Sequence, residues 1–188
     1  MQQSVKSSSQ QGRSVLTDVE TIRQRARQDI EAGAVTPSYS ADREEIIGLL
    51  NDALATELVC YLRYKRHYFM ADGIHADAVS AEFLEHATQE QEHADQIAQR
   101  IVQLGGAPDF SPDTLMSRSH AQYVEGNSLG EMIRENLVAE RIAIESYREI
   151  AQYIGDKDPT TRRLMEEILA TEEEHADDLV SLMHGLKE

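Results

Sequence analysis

The sequence predicts an all-α fold, a four-helix bundle built as two antiparallel hairpins that a long crossover joins. Four segments place apolar residues three and four positions apart, the spacing that lines one face of a helix. Turn motifs at Asp72-Gly73 and at residues 155–158 separate the first segment from the second and the third from the fourth. Residues 105–127 connect the two pairs, which makes the second hairpin antiparallel to the first.

An N-terminal extension over residues 1–40 is predicted ahead of the bundle, which spans residues 41–188. Residues 1–13 are rich in Ser and Gln, a composition typical of disordered chain. The motif from Thr17 to Glu20 matches a capping box and predicts a short helix that ends near Ala32, before Gly33 and Pro37. Packing on a neighbouring subunit and a free tail are both compatible with this extension.

Each helix of the first predicted hairpin carries an acidic residue within its apolar stripe. In the first helix Glu57 shares its face with Ile47, Leu50, Leu54, Tyr61, Tyr64 and Tyr68. In the second helix Glu90 also shares its face with apolar residues, and His93 follows one turn later. The apolar members of that second stripe are Phe83, Ala87, Ala94, Ile97, Ile101 and Leu104. We therefore expect these acids and His93 to point into the bundle.

The second predicted hairpin repeats this arrangement. Ser128 to Glu131 forms a capping box for the third helix, and Asp158-Pro159 supplies an N-cap with proline at the first helical position of the fourth. The third stripe contains Glu140 among Ile133, Leu137, Ile144, Tyr147, Ala151 and Ile154. The fourth contains Glu172 and His175 among Leu164, Ile168, Leu179 and Leu182. In the crossover, a short helix is expected from Asp113 to Tyr123.

The positions of the acids along their helices predict that they meet at one depth. Glu57 and Glu90 each lie roughly 24 Å from the turn between them, at about 1.5 Å per residue, so they are level across the hairpin. Glu140 and Glu172 stand in the same relation to the second turn. Two hairpins docked face to face therefore bring all four carboxylates together.

Four buried carboxylates are costly unless they are protonated or bind cations. Two divalent ions would balance four glutamates, and one imidazole per ion with carboxylate oxygens suits iron or manganese better than structural zinc. A single Glu-x-x-His step arises often by chance, but two such steps with matched inward glutamates favour a dimetal site. The predicted metal ligands are Glu57, Glu90, His93, Glu140, Glu172 and His175.

With these ligands, residues 42–184 resemble the ferritin-like superfamily, and most closely bacterioferritins and Dps-like proteins with a bacterioferritin-type di-iron site. The resemblance implies that Glu90 and Glu172 bridge the metals, that Glu57 and Glu140 each bind one ion, and that the histidines complete each iron. Tyr64 matches a tyrosine near the site in bacterioferritins, and we count it with the catalytic residues.

The two hairpins also look like degenerate copies of each other. Tyr64 follows Glu57 by seven residues and Tyr147 follows Glu140 by seven, while Ala-Asp follows both Glu-x-x-His steps. Each tyrosine is a candidate hydrogen-bond partner of a ligand or an electron donor during oxidation. For Tyr147 a plain core residue with a hydrated hydroxyl is an equal alternative.

The resemblance implies an iron-binding ferroxidase that oxidises Fe2+ with O2 or H2O2, for iron storage and oxidative-stress protection. Two iron ions per subunit are expected, and manganese suits the same ligands. A dimanganese catalase is therefore an alternative, as is a rubrerythrin-like peroxidase, although the four-cysteine module of rubrerythrins is missing. A Dps-type cage that shields DNA is the alternative without an enzymatic role.

A homo-oligomeric shell is also implied by the resemblance. Only 13 residues follow His175, too few for the fifth helix of 24-subunit ferritins, so twelve subunits are expected and 24 are the alternative. Gln91 stands where bacterioferritins carry their haem-binding methionine, so no haem is expected.

Composition restricts the partners and the compartment. The chain has 34 acidic and 18 basic residues and a net charge of -16, which argues against a nucleic-acid or anionic membrane surface. No apolar stretch approaches the ~18 residues of a membrane span, and the start has no apolar signal region, so a cytoplasmic protein is expected. Cys60, without a second cysteine, predicts no intrachain disulfide and a small buried filler.

Overall fold

A computed structural model describes residues 16–74 and 76–186, and over these ranges the chain is helical with no strand. This confirms the predicted all-α class. One 3-10 helix spans Ile30–Ala32. The α-helices are α1 Val19–Arg25, α2 Arg43–Met70, α3 Ala76–Gln103, α4 Pro112–Arg118, α5 Leu129–Ile154 and α6 Pro159–Gly185.

The described residues up to Ser38 form one compact unit, and the described residues from Tyr39 onward form another. In the first unit α1 is shorter than predicted and begins one residue later. Its N-cap is Asp18, whose carboxylate accepts a hydrogen bond from the Thr21 amide at 3.0 Å, so the capping box expected at Thr17 is wrong. The helix does not reach Ala32 because it buries no side chain and Asp29 has a positive φ of 46°. The predicted disorder of residues 1–13 lies outside the described residues.

The second unit is the predicted bundle of two hairpins. Helix α2 packs along α3 and α5 packs along α6, and the hairpins meet through α2 with α5 and α3 with α6. The turns fall where the sequence places them, around Gly73 and Gly155. Gly155, with a φ of 51°, ends α5 in a conformation that glycine adopts without steric cost.

The apolar stripes form the core of this bundle. Leu50, Tyr64, Phe83, Ile97 and Ile133 are among the fully buried side chains. Burial of each such large apolar side chain is worth about 1.5–3 kcal/mol relative to exposure. The helical periodicity of the sequence therefore identified the core faces correctly.

Within the crossover, helix α4 and the residues that follow it pack against α2. The predicted short helix is present as α4, but its predicted end at Tyr123 is wrong, because α4 ends at Arg118. Beyond it, the His120 amide donates to the Thr56 hydroxyl at 3.0 Å, and Ala121 is buried beside Cys60. The tertiary contacts of this extended segment replace the helical turns that local sequence favoured.

Two predicted helix caps are confirmed. The Ser128 hydroxyl accepts from the Glu131 amide and begins α5, and Asp158 accepts from the Thr161 amide at 3.0 Å and begins α6. Asp158 also lies 3.0 Å from the Arg100 guanidinium of α3 and accepts a 2.8 Å hydrogen bond from the Tyr39 hydroxyl. This buried cluster ties the start of α6 to α3. Among the described helices, none has the length and apolarity to cross a membrane.

Candidate metal centre

Four glutamates lie midway along the four long helices and face the interior. Glu57 of α2, Glu90 of α3, Glu140 of α5 and Glu172 of α6 are each at most 1% exposed. Each replaces an apolar residue in a stripe that is otherwise core, so the packing that buries the stripe also buries the acid. The four carboxylates lie close together in the structure, as predicted.

The six predicted ligands fall into two overlapping groups. Glu57, Glu90, His93 and Glu172 each offer one ligand atom, and these four atoms lie within 4.8 Å of one another. A second group joins Glu90 and Glu172 with two further residues, Glu140 and His175, within the same distance. Because Glu90 and Glu172 belong to both groups, the geometry matches two neighbouring cation positions that share two carboxylates.

Several buried polar atoms in this cluster have no hydrogen-bond partner. An unpaired buried polar atom costs about 1–3 kcal/mol, and native proteins contain few of them. Here they converge on one point, which suits divalent cations with oxygen and imidazole ligands. The atoms are Glu90 Oε1, Glu140 Oε2, both carboxylate oxygens of Glu172, and His175 Nδ1.

The two histidines present a ring nitrogen to the carboxylates. His175 Nε2 lies 2.6 Å from Gln89 Oε1, so Nε2–H donates there and Nδ1 faces Glu172 at 3.3 Å. Metal-binding histidines are commonly oriented by such a second hydrogen bond. His93 Nδ1 lies 2.9 Å from Glu172 Oε1 and 3.2 Å from Glu57 Oε2.

The electrostatics of the cluster without metal favour bound protons. Burial raises the pKa of Glu172 to about 8, and the charges of Glu57 and Glu140 add to this effect. Burial alone would lower the pKa of His93, but the neighbouring carboxylates of Glu172 and Glu57 outweigh it and raise that pKa to about 10. Cations entering the site would therefore displace protons.

Two buried tyrosines orient the remaining glutamates across the hairpins. The Tyr64 hydroxyl of α2 donates to Glu140 Oε1 of α5, and the Tyr147 hydroxyl of α5 donates to Glu57 Oε1 of α2. Tyr64 therefore lies at the site as predicted. For Tyr147, the hydroxyl is bonded to a predicted ligand, and so Tyr147 is not a core residue with a hydrated hydroxyl.

Two residues at the site were missed from the sequence. Gln89 orients His175, and buried His86 has its ring stacked on that of His175 with centroids 3.9 Å apart. His86 Nδ1 also lies 3.2 Å from the Tyr64 hydroxyl. The available signal was position, since His86 precedes Glu90 by one helical turn and shares its face.

Cys60 does not contribute to the cluster of ligands. It is a buried free thiol packed with Ala121 and Ala139, as expected for a small filler. Burial raises the pKa of this thiol well above its usual value, so it stays protonated and unreactive.

Comparison with known proteins agrees with this geometry. Residues 47–188 match the family model described as a ferritin-like domain. A "DNA protection during starvation protein" of Halobacterium salinarum is 30% identical over 79% of this chain and 82% of its own length. A bacterioferritin of Brucella melitensis is 31% identical over 72% of this chain and 80% of its own.

Among solved structures, the bacterioferritin-related dodecameric thioferritin of Bacteroides fragilis superposes with a TM-score of 0.75 at 34% identity. The match covers 78% of this chain and 88% of that one. The range matched by the family model, residues 47–188, includes all six residues of the cluster, and the resemblance noted from the sequence is confirmed. The chain belongs to the ferritin-like family, among relatives named bacterioferritin and Dps.

Proposed function

We propose that the chain is a ferroxidase that binds two Fe2+ ions between Glu57, Glu90, His93, Glu140, Glu172 and His175. The observation that carries the proposal is the pair of overlapping ligand groups, whose unpartnered oxygen and nitrogen atoms converge in a buried pocket. Glu90 and Glu172 would lie between the two ions. One ion would also be bound by Glu57 and His93, and the other by Glu140 and His175.

The iron is a substrate in this reaction. Each Fe2+ loses one electron, and H2O2 takes two electrons and two protons to give two water molecules; O2 is the alternative oxidant. The protein holds the ligands in place, through Tyr64 on Glu140, Tyr147 on Glu57 and Gln89 on His175. Burial excludes bulk water, and the net charge of -16 favours accumulation of Fe2+ near the protein.

We also propose that twelve chains form a closed, haem-free shell in which oxidised iron is stored. The support is the 34% identity to the dodecameric thioferritin of Bacteroides fragilis. The relatives named for DNA protection suggest a DNA-shielding cage as a second role, but the acidic surface of this chain argues against direct contact with nucleic acid.

The test compares Glu90→Gln with Glu92→Gln, two isosteric changes on α3. Glu90 is buried in both ligand groups, whereas Glu92 is exposed to solvent. We expect two ions per chain in anomalous difference maps and rapid Fe2+ oxidation for wild type and Glu92→Gln. Glu90→Gln should retain its helical circular dichroism and lose rapid oxidation, because a shared ligand is gone.

Equal oxidation rates for Glu90→Gln and wild type would refute the proposal. Oxygen release from H2O2 by the manganese-loaded protein, with negligible Fe2+ oxidation, would instead favour the dimanganese catalase.

A further inference from the structure

We propose a third cation site beside the dinuclear cluster, formed by Glu82 and His86 of α3 and Asp178 of α6. Each of the three residues offers one ligand atom, and these atoms lie within 4.8 Å of one another. As a waiting position for Fe2+ the site depends on the proposed ferroxidase function, but its capacity to bind a divalent cation does not.

This triad joins one buried side chain to two side chains that solvent can reach. His86 Nε2 lies 3.2 Å from Glu82 Oε1 and 3.8 Å from Asp178 Oδ2. The His86 side chain is 1% exposed, whereas those of Glu82 and Asp178 are 30% and 55% exposed. A cation could therefore reach the two carboxylates from solvent and gain a buried imidazole nitrogen as its third ligand.

The hydrogen bonds of His86 indicate that its Nε2 atom, which faces Glu82 and Asp178, carries no hydrogen. Tyr64 gives its hydroxyl hydrogen to Glu140, so toward His86 the Tyr64 oxygen acts as an acceptor. His86 Nδ1–H must then donate to it, at 3.2 Å. A neutral imidazole has one N–H, so Nε2 presents a lone pair to the carboxylates of Glu82 and Asp178. Three acceptors that face one another require a cation or an additional proton.

The internal duplication provides a comparison within the same chain. Glu90 of the first hairpin corresponds to Glu172 of the second, so the positions four and eight residues earlier pair His86 with Ile168 and Glu82 with Leu164. Likewise Asp178, three residues after His175, corresponds to Gln96, three residues after His93. The three corresponding positions, Leu164 and Ile168 of α6 and Gln96 of α3, thus form no set of metal ligands.

The comparison also shows that the tyrosine does not need the histidine. Tyr147 donates to Glu57 just as Tyr64 donates to Glu140, yet Ile168 stands where His86 would be. The three residues Glu82, His86 and Asp178 therefore go beyond what holding the glutamates requires.

The triad adjoins one of the two proposed metal positions. His86 also offers a nitrogen within 4.8 Å of ligand atoms of Glu140 and His175. His86 therefore lies between exposed Asp178 and buried Glu140. Mixed imidazole and carboxylate ligands suit Fe2+, Mn2+ or Zn2+ rather than Ca2+. We infer that Fe2+ reaches the position beside Glu140 and His175 by way of this site.

The decisive experiment uses Mn2+ as the probe with the full-length protein and compares Asp178→Asn with Asp177→Asn. Both residues are exposed neighbours on α6, but Asp177 lies outside the triad. We expect anomalous maps of Mn2+-soaked crystals to show three ions per chain in wild type and Asp177→Asn, and two in Asp178→Asn. Metal analysis after equilibrium dialysis should fall by about one ion per chain in Asp178→Asn alone.

A kinetic measurement tests the role in supply. At Fe2+ concentrations below saturation, Asp178→Asn should oxidise Fe2+ more slowly than Asp177→Asn, and the two rates should converge at saturating Fe2+. Equal rates at both concentrations would overturn the supply role.

Two filled positions at the six ligands with no density between Glu82, His86 and Asp178 in wild type would overturn the third site and leave the proposed function intact. Mn2+ at the triad, with none at the six ligands, would refute the dinuclear proposal and support the third site. A third peak that persists in the double variant Glu82→Gln, Asp178→Asn would also overturn the assignment.

Discussion

At the scale of single residues, the ligands are held by partners from other helices. Tyr64 and Tyr147 each hydrogen-bond a glutamate of the opposite hairpin, and Gln89 of α3 orients His175 of α6. Such partners fix the direction of a ligand before metal arrives, which lowers the entropy lost on binding. The glutamates are therefore positioned by the docking of the hairpins as well as by their own helices.

Removing either tyrosine hydroxyl should weaken metal binding. We expect Tyr64→Phe and Tyr147→Phe to reduce Mn2+ affinity by about 10-fold to 100-fold, because Glu140 or Glu57 loses its donor. Tyr64→Phe should have the larger effect, since it also removes the acceptor of His86. Calorimetric titration with Mn2+ measures both, and Tyr153→Phe, on the exposed surface of α5, is the matched control. Wild-type affinity in Tyr147→Phe would contradict the orienting role.

The sequence was sufficient to bring the six proposed ligands to one buried cluster, because each lies in a stripe with helical period. It was insufficient for His86, whose carboxylate partner Asp178 comes from a helix 92 residues further along the chain. The same limit applies to the buried Arg63 of α2, which donates to Asn136 of α5 at 2.8 Å. Periodicity identifies which face of a helix is buried, whereas contacts between distant polar residues depend on how the helices dock.

At the scale of helices, local sequence predicted the long elements better than the short ones. Helices α2, α3, α5 and α6 have caps or turns at their ends and a continuous core stripe, so local and tertiary preferences agree. In α1 and α4 no side chain is buried, and both end earlier than the sequence suggested. Short helices depend on their surroundings because helix nucleation is costly.

The start of α6 offers a test of one such element. Asp158→Ala removes the N-cap and the carboxylate partner of buried Arg100, so we expect a loss of about 3–5 kcal/mol in the free energy of unfolding at neutral pH. Asp158→Asn should cost less, because asparagine also caps helices. Thermal and urea unfolding measure these differences, with Asp156→Asn as the control at an exposed ion pair in the same turn. An unfolding midpoint for Asp158→Ala equal to that of the control would contradict this role.

The effect should depend on pH in a defined direction. Burial opposes ionisation of Asp158, but its bonds to Thr161, Tyr39 and Arg100 prevail and lower its pKa below 3.8. A depressed carboxyl pKa stabilises the fold above the unfolded value, and this contribution is lost as pH falls through the folded pKa. The difference between wild type and Asp158→Asn should therefore narrow in acid below pH 3.8.

At the scale of the whole molecule, the exposed apolar residues of the bundle fit an assembled protein. Phe69, Val102, Val138 and Val180 are exposed on the four long helices. Apolar patches on a folded chain commonly mark contacts with other chains. The charge of -16 per chain would accumulate over such an assembly and surround it with a strong negative potential.

Native mass spectrometry tests the proposed shell. Twelve chains of 21.1 kDa give about 250 kDa, the mass we expect, since large homo-oligomers close by point-group symmetry. Protein purified from a haem-sufficient host should have no Soret band. A dimer or a mass about twice as large would contradict the twelve-subunit shell, and a Soret band would contradict the haem-free expectation.

The crossed tyrosines give the chain the character of a dimer within one polypeptide. Two separate, identical hairpins could form the same tyrosine–glutamate hydrogen bonds across a two-fold axis. Such a dimer would be an isologous pair, and every feature would occur twice. Here the crossover links the two halves covalently, so each can change without its counterpart. The first hairpin has Glu82 and His86 where the second has Leu164 and Ile168, and the second has Asp178 where the first has Gln96. Covalent fusion thus permits a one-sided route to a centre whose ligands remain symmetric.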